Sequence, residues 1–250
     1  MDSAKQPLAA LKAAFSQMEV VDLTVTLEKG IPRWPSHPHL VIDQTVTHEH
    51  DGYYCQSVSF AEHTGTHMDA PYHAHRELPH LTLESVAPDA LIGMCTSIDL
   101  SGREWLPGES AELDDVERAL ARTGAEIDEG DIVLINFGWL KRFWTTGRDW
   151  RYYADNQPGL TKEVADFLLE KRVRAVGTDT IAVGTPIADG VSGYCHFHQR
   201  VLKNEIYLME CLVNLELLPA KCFFIAAPLK IHNGSGSPVR ALAYIPKVRQ

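Results

Sequence analysis

The run His63-Thr-Gly65-Thr-His67-Met-Asp69-Ala-Pro71-Tyr-His73-Ala-His75 constrains the fold more than any other part of the chain. Two imidazoles and a carboxylate stand at spacings of four and two, the nitrogen and oxygen mixture that suits zinc, manganese or iron(II). In a straight strand, residues four apart lie about 13 Å from each other, too far to share an ion with ligand bonds of ~2.1 Å. A helix would bring an i, i+4 pair together, but Gly65 and Pro71 argue against one. The consistent solution is a turn at Gly65 that folds His63 back over His67, with Asp69 two residues on and on the same face as His67. The run lies in a wider concentration. Nine of the 12 histidines, at 37, 39, 48, 50, 63, 67, 73, 75 and 80, fall within 44 residues, which favours metal or proton chemistry. His75 and His80 are expected at the surface.

The rest of the composition removes other classes. At 250 residues, 45% hydrophobic and 22% charged, the chain has enough apolar material for a sizeable core. The formal charge of -10 and the absence of a Lys/Arg-rich run argue against nucleic acid. No apolar stretch approaches the ~20 residues that span a bilayer. The opening MDSAKQPLAALKAAF lacks the basic region and apolar core of a signal peptide, so no membrane association and a cytoplasmic location are expected. Five cysteines, Cys55, Cys95, Cys195, Cys211 and Cys222, form no C-x-x-C pair, and buried thiols are the expectation.

Helical spacing of Leu8, Leu11, Ala14, Phe15 and Met18 predicts an amphipathic opening helix. Residues 20–27, 40–47 and 56–60 read as strands, separated by the loop Ile31-Pro-Arg-Trp-Pro-Ser-His-Pro-His39, whose three prolines forbid regular structure. Helices are predicted from Glu112 to Arg122, closing at Gly124, and from Thr161, a plausible N-cap, to Lys171. Each precedes an apolar strand, Asp131 to Phe137 and Arg172 to Gly177, both suited to a sheet covered on both faces. Phe223 to Ala227 and Ala241 to Ile245 add two more. With no repeat and no linker, the organisation expected is an N-terminal helix over 1–19 and one α/β (α+β) domain over 20–250.

A second donor group lies downstream, between His196 and Glu210. A helical turn is expected after His198, and Ile206 to Glu210 alternates like a strand, so Glu210 can project from a sheet edge into a site. An unpaired buried carboxylate is costly, and either an arginine or a cation offsets that cost; both readings stand.

His63-x-Gly65-Thr66-His67-x-Asp69-Ala70-Pro71-x-His73 resembles the signature of the metal-dependent cyclase-like hydrolases, the family that includes bacterial kynurenine formamidase and isatin hydrolase. Other stretches resemble it in the same order: Asp22-Leu23-Thr24, Pro32-Arg-Trp34-Pro35, Gly130 to Leu134 running to Gly138-Trp139, and Gly177-Thr178-Asp179-Thr180. His198 through Glu210 to Asn214-Leu215 and Gly234-Ser-Gly-Ser-Pro238-Val-Arg240 follow, so the likeness spans roughly 20–245. It departs at Ile181-Ala182-Val183-Gly184 and at Asn136-Phe137-Gly138-Trp139, both candidates for the substrate side. The resemblance implies a swivelling β/β/α domain with mixed sheets and flanking helices, a homodimer or higher homo-oligomer, and one or two divalent ions per subunit, zinc or manganese. It also implies that His63, His67, Asp69, His198 and Glu210 are metal ligands, that His73 transfers protons, and that Trp34 stands beside the substrate; a packed loop anchor is the alternative for Trp34. The aromatic run Phe137, Trp139, Phe143, Trp144, Trp150, Tyr152, Tyr153 is expected as pocket wall or dimer contact.

The activity expected is hydrolysis of a small-molecule amide, formamide or cyclic amide, formylkynurenine- or isatin-like, by metal-activated water. There is no Gly-x-Ser-x-Gly elbow for a serine nucleophile. The alternatives are a lactone hydrolase or cyclising dehydratase using the same site, and a non-catalytic metal-binding protein of the same fold.

Overall fold

Ile132–Asn136 is buried at all five positions, and a strand with no exposed face must be covered on both sides. The computed structural model, which describes residues 5–247, puts this strand at the centre of a mixed sheet. In chain order the elements are α1 (Lys5–Ser16), β1 (Met18–Asp22), β2 (Val41–Val46), α2 (His48–Asp51), β3 (Cys55–Ser59), β4 (His67–Asp69) and β5 (Ile92–Asp99). There follow α3 (Leu113–Thr123), β6 (Ile132–Asn136), α4 (Trp139–Phe143), α5 (Trp150–Asp155), α6 (Lys162–Glu170) and β7 (Ala175–Thr178). Last come β8 (Tyr207–Glu210), β9 (Lys221–Ile225), β10 (Gly236–Pro238) and β11 (Leu242–Pro246).

The nine-stranded sheet runs β1-β11-β9-β5-β6-β7-β8-β4-β10. Its middle, β5 to β8, is parallel. Antiparallel strands extend it on both sides, β9, β11 and β1 on one and β4 and β10 on the other. The parallel pairs need crossovers: α3 lies in that from β5 to β6, α6 in that from β6 to β7, and the turns at Phe197–Val201 and Leu202–Asn204 in that from β7 to β8. Helix α3 starts at a capping box between Glu112 and Asp115, ends at left-handed Gly124, and buries Val116 and Ala119; α6 follows Thr161 and buries Val164, Ala165 and Leu168. Both pack on the sheet face that carries Val133, Ile135 and Val176. Met68, Leu134, Met209 and Phe224 close the other face.

Several local expectations are corrected. The opening helix stops at Ser16, because Met18 already pairs with Pro246. Leu8 and Leu11 are exposed, and the ring of Phe15 meets Tyr244 at 4.8 Å between centroids. The strand expected over 20–27 ends at Asp22; beyond it Val25 N–H donates to the Thr66 hydroxyl instead of to a neighbouring strand. β2 and β3 pair only with each other, as a ribbon off the main sheet, and α2 in their connection was not foreseen. β8 lies between β7 and β4, so Glu210 projects from inside the sheet and not from an edge. Among the described residues no helix is long and apolar enough to cross a membrane.

The segment after β7 is held by one side chain. Gln157 is fully buried; its amide nitrogen donates to the carbonyls of Ala182 and Thr185, and its oxygen accepts from the N–H groups of Ile181 and Ala182 at 2.8 and 3.2 Å. Gln157→Leu conserves volume but leaves the Ile181 and Ala182 N–H groups and the Thr185 carbonyl without this partner, each costing about 1 kcal/mol or more, while Ala182 O keeps the Thr185 N–H. The expected outcome is a stability loss of about 3 kcal/mol in urea titration; an unchanged midpoint would show that the segment does not depend on Gln157.

Candidate metal centre

β4 is three residues long, and its register assembles the site. His67 stands opposite Glu210 of β8 on one side and Pro238 of β10 on the other, and Asp69 stands opposite Leu208 and Gly236. Directly opposed residues, and residues i and i+2, share a face, so His67, Asp69 and Glu210 project together. They are 2%, 1% and 5% exposed. Just before β4, Gly65 has φ +63°, a left-handed conformation that glycine adopts without strain. That turn brings His63 back edge-on to His67, ring centroids 5.2 Å apart, as the sequence predicts. Thr66 clamps the turn by donating to Cys211 O at 2.6 Å. On the far side, a Cβ at Gly236 would lie 2.4 Å from His63 Cε1, so only glycine leaves room for the ring.

The donor atoms converge. His63 Nδ1 is 2.6 Å from Asp69 Oδ1, and His67 Nε2 is 3.5 Å from Asp69 Oδ1 and 3.2 Å from Glu210 Oε2. His198, on the π-helical turn Phe197–Val201, places Nε2 3.4 Å from Asp69 Oδ2 and 3.4 Å from Glu210 Oε1. Ligands around one ion with ~2.1 Å bonds stand about 3–4 Å apart, so the four spacings made by His67 and His198 fit, whereas His63 Nδ1 and Asp69 Oδ1 stand at hydrogen-bond distance. Asp69 belongs to two groups of potential donors, His63–Asp69–His73 and His67–Asp69–Glu210. His67 Nε2 and Asp69 Oδ2 are buried without an aligned hydrogen-bond partner, which is what a ligand atom leaves when its ion is subtracted. Of the two partners considered for Glu210, the arginine is not the one found; its carboxylate meets the two imidazoles and accepts from Val183 N–H at 2.8 Å.

The electrostatics favour a cation. Burial alone would push His67 down, yet the carboxylates of Glu210 and Asp69 hold it up at about 9. Burial likewise opposes charge on His198, and its neighbours Cys195, Asp69 and Glu210 raise it well above the usual imidazole value. Asp69, which burial would raise, is held well below the carboxylate range by His73, His63 and His198. Each group is stabilised in its charged form by the others, so the cluster attracts positive charge.

The remaining ring nitrogens are fixed by the motif's own Gly65 and by Ser235 and Cys195, for which motif reading gave no such role. His67 Nδ1 donates to Gly65 O at 2.8 Å. His63 Nε2 donates to Ser235 Oγ at 2.9 Å, and that hydroxyl donates to Glu62 Oε2 at 2.6 Å. His198 Nδ1 lies 2.8 Å from Cys195 Sγ. These contacts leave His67 Nε2 and His198 Nε2 bare toward the centre, while His63 Nδ1 is directed at Asp69 Oδ1, 2.6 Å away. The signals were present in the Gly234-Ser-Gly-Ser-Pro238 run and in a cysteine three residues before His198, but neither gives a contact partner.

A cavity of about 330 Å³ opens on the cluster. His73, on the turn Pro71–His73, keeps an exposed edge while its ring lies 3.9 Å from that of His63 and 5.7 Å from that of His198. Desolvation by these surroundings pushes its imidazole below the usual range. Trp34 lines the cavity and also packs on the core, so the two readings of it coincide. Ile181 and Ala182 line the cavity as well, whereas the stretch from Asn136 to Trp139 does not: Asn136 bonds Asp99, and Phe137 N–H donates to Asp179. The aromatic run is mainly core; Phe137, Trp139 and Tyr153 are 3%, 1% and 0% exposed, and Trp150 stacks under Arg33 at 4.1 Å. Two further corrections concern burial. His75 is buried, its Nε2 donating to His198 O at 2.8 Å, while His80 is exposed. Cys95, Cys211 and Cys222 are buried thiols, but Cys55 is exposed and Cys195 borders the cavity.

A model of the family described as putative cyclase matches residues 21–185. The chain belongs to the cyclase family. It is 30% identical to isatin hydrolase from Roseibium aggregatum over 98% of this chain and 99% of that protein. Kynurenine formamidase from Bacillus thuringiensis is 27% identical over 90% of the chain and 96% of its own length. Among solved structures, isatin hydrolase A from Ralstonia solanacearum superposes with a TM-score of 0.83 at 30% identity, covering 96% of this chain and 97% of that one.

Gly236→Ala tests the geometry around His63. The added methyl group is expected to displace the ring and weaken uptake of zinc or manganese about tenfold or more, by chelator competition. Unchanged affinity in a folded variant would exclude His63 from the donor set.

Proposed function

We propose that this chain is a metal-dependent hydrolase of carbon–nitrogen bonds other than peptide bonds, acting on small linear or cyclic amides of the formylkynurenine and isatin type. The observation that carries this is the convergence of His63, His67, Asp69, His198 and Glu210 under a cavity of about 330 Å³ that presents the open edge of His73. Isatin hydrolase and kynurenine formamidase as relatives support the substrate class.

The five donors would hold one or two divalent ions, zinc or manganese. A divalent ion bound there would supply Lewis acidity, polarising a carbonyl and lowering the pKa of water enough for attack at neutral pH without a serine or cysteine nucleophile. His73, an open-edged imidazole whose ring lies 3.9 Å from that of His63, is the residue assigned to proton transfer. In this role it takes the proton of the attacking water and returns it to the departing nitrogen. Trp34, Ile181 and Ala182 supply apolar walls for a flat ring, and Glu210, fixed by Val183 N–H, keeps its carboxylate aimed at the two imidazoles. A space of this volume admits a bicyclic amide and excludes a folded polypeptide.

The same reading includes a homodimer. Its support is the β2–β3 ribbon, which leaves Val41, Val58, Tyr53 and Tyr54 exposed, because a two-stranded ribbon alone is marginally stable.

Metal analysis of protein purified without chelator, beside substrate assays on formylkynurenine, isatin and simple lactones, tests the proposal. His67→Ala is expected to lose metal and turnover together. His73→Ala is expected to keep its metal and lose about 10²–10⁴-fold in kcat. Full activity in His73→Ala would remove it from proton transfer, and fully metallated protein inactive on every amide would overturn the hydrolase assignment.

A further inference from the structure

Of the three imidazoles at the centre, two are oriented through an oxygen and one through sulfur. His67 uses Gly65 O and His63 uses Ser235 Oγ, while Nδ1 of His198 meets Cys195 Sγ at 2.8 Å. We propose that Cys195 is the positioning residue of His198 and that retention of the metal depends on its thiol, an inference that rests on the metal-centre reading above.

The thiol has three partners. Val183 O, 3.7 Å from the sulfur, can only accept and so calls for the thiol's one hydrogen, while the sulfur accepts from the backbone N–H of His198 at 3.4 Å and faces Nδ1 of the same residue. With the S–H directed at Val183 O, the sulfur presents only lone pairs to Nδ1, so Nδ1 carries the hydrogen and Nε2 stays bare. The opposite tautomer would turn an N–H toward Asp69 and Glu210 and could not ligate an ion. No other hydrogen bond to Nδ1 is formed among the described residues. Val183 also links the thiol to the second half of the site, because its N–H donates to Glu210 Oε1 at 2.8 Å. One sulfur therefore ties together the His198 turn and the backbone that steadies Glu210.

The placement is suited to chemical test. Cys195 and Cys211 both line the cavity, but Cys211 is buried at 2% exposure while Cys195 is partly exposed; Cys95 and Cys222 are buried, and Cys55 is exposed on β3 away from the centre. A Cys55→Ser background therefore leaves Cys195 as the thiol open to a small reagent. Methyl methanethiosulfonate transfers its methylthio group to the Cys195 sulfur: a new S–S bond forms, the sulfur–sulfonyl bond breaks, methanesulfinate leaves with the electron pair, and the thiol proton goes to solvent. The modified sulfur has no hydrogen for Val183 O and carries a methylthio group against His198.

Zinc affinity by competition with a chromophoric chelator, together with the visible spectrum of the cobalt(II) form, is measured for the Cys55→Ser protein and for Cys195→Ser and Cys195→Ala in that background. Expected are a ten- to hundredfold loss of affinity and a shifted cobalt spectrum in Cys195→Ala, with most of the affinity restored in Cys195→Ser, whose hydroxyl still accepts from Nδ1. Methylthiolation of folded Cys55→Ser protein is expected to release zinc, and bound zinc to slow the labelling; this arm decides the matter where Cys195→Ala does not fold. Affinity within twofold of the parent in both Cys195→Ala and the methylthiolated protein would overturn the role while leaving the metal centre standing. A Cys55→Ser parent that takes up no metal would overturn both.

Discussion

Two carboxylates, Asp69 and Glu210, are buried on neighbouring strands with three imidazoles and, among the described residues, no lysine or arginine paired with them. Adjacent negative charges in a low-dielectric interior repel each other and are poorly solvated, and the imidazoles offset this only by carrying protons or sharing a cation. The rest of the site follows from that requirement. Gly65 must reverse the chain so that His63 reaches Asp69, and Gly236 must lack a side chain so that the ring fits. β8 must stand next to β4 in a register that sets Glu210 beside His67.

The architecture supplies this register cheaply in chain length. The parallel middle of the sheet is a rigid platform covered by α3 and α6, and β8 ends at Glu210, on the carboxyl side of the parallel strands where open α/β sheets bind ligands. The antiparallel pair β4 and β10 is added beside it, so three residues of β4 present two donors to the same face. The segment after β7, held by the buried Gln157, forms the adjoining cavity wall and sends Val183 N–H to Glu210. Fold and site are therefore coupled through a few buried polar groups, not through the apolar core alone.

Much of this was legible in the chain. The spacing of His63, His67 and Asp69 required a turn, glycine and proline ruled out the helix, and the structure has the turn at Gly65. The helices at 113–123 and 162–170 and the central strands followed from periodicity and capping residues, within a few residues of their ends. Periodicity misled where tertiary contacts compete with it. Residues 23–27 alternate like a strand, but their hydrogen bonds go to Thr66 and Ala241, and His75 reads as a surface histidine until His198 O is seen against it. The aromatic run looked like a wall because its residues are large and close in sequence, yet α4 and α5 turn most of them into the core.

The sequence alone determined the kinds of donor, the turn and the family resemblance, because these depend on residue type and short spacing. Only the tertiary structure decided that Glu210 faces imidazoles and not an arginine, and which nitrogen of each histidine points inward. Those outcomes rest on contacts between residues far apart in the chain, such as His63 with Ser235 and Glu62 with Ser235, 172 and 173 positions away. A ring nitrogen is committed by whatever accepts the hydrogen of the other one, and that acceptor is brought into place by strand pairing, which no local pattern encodes.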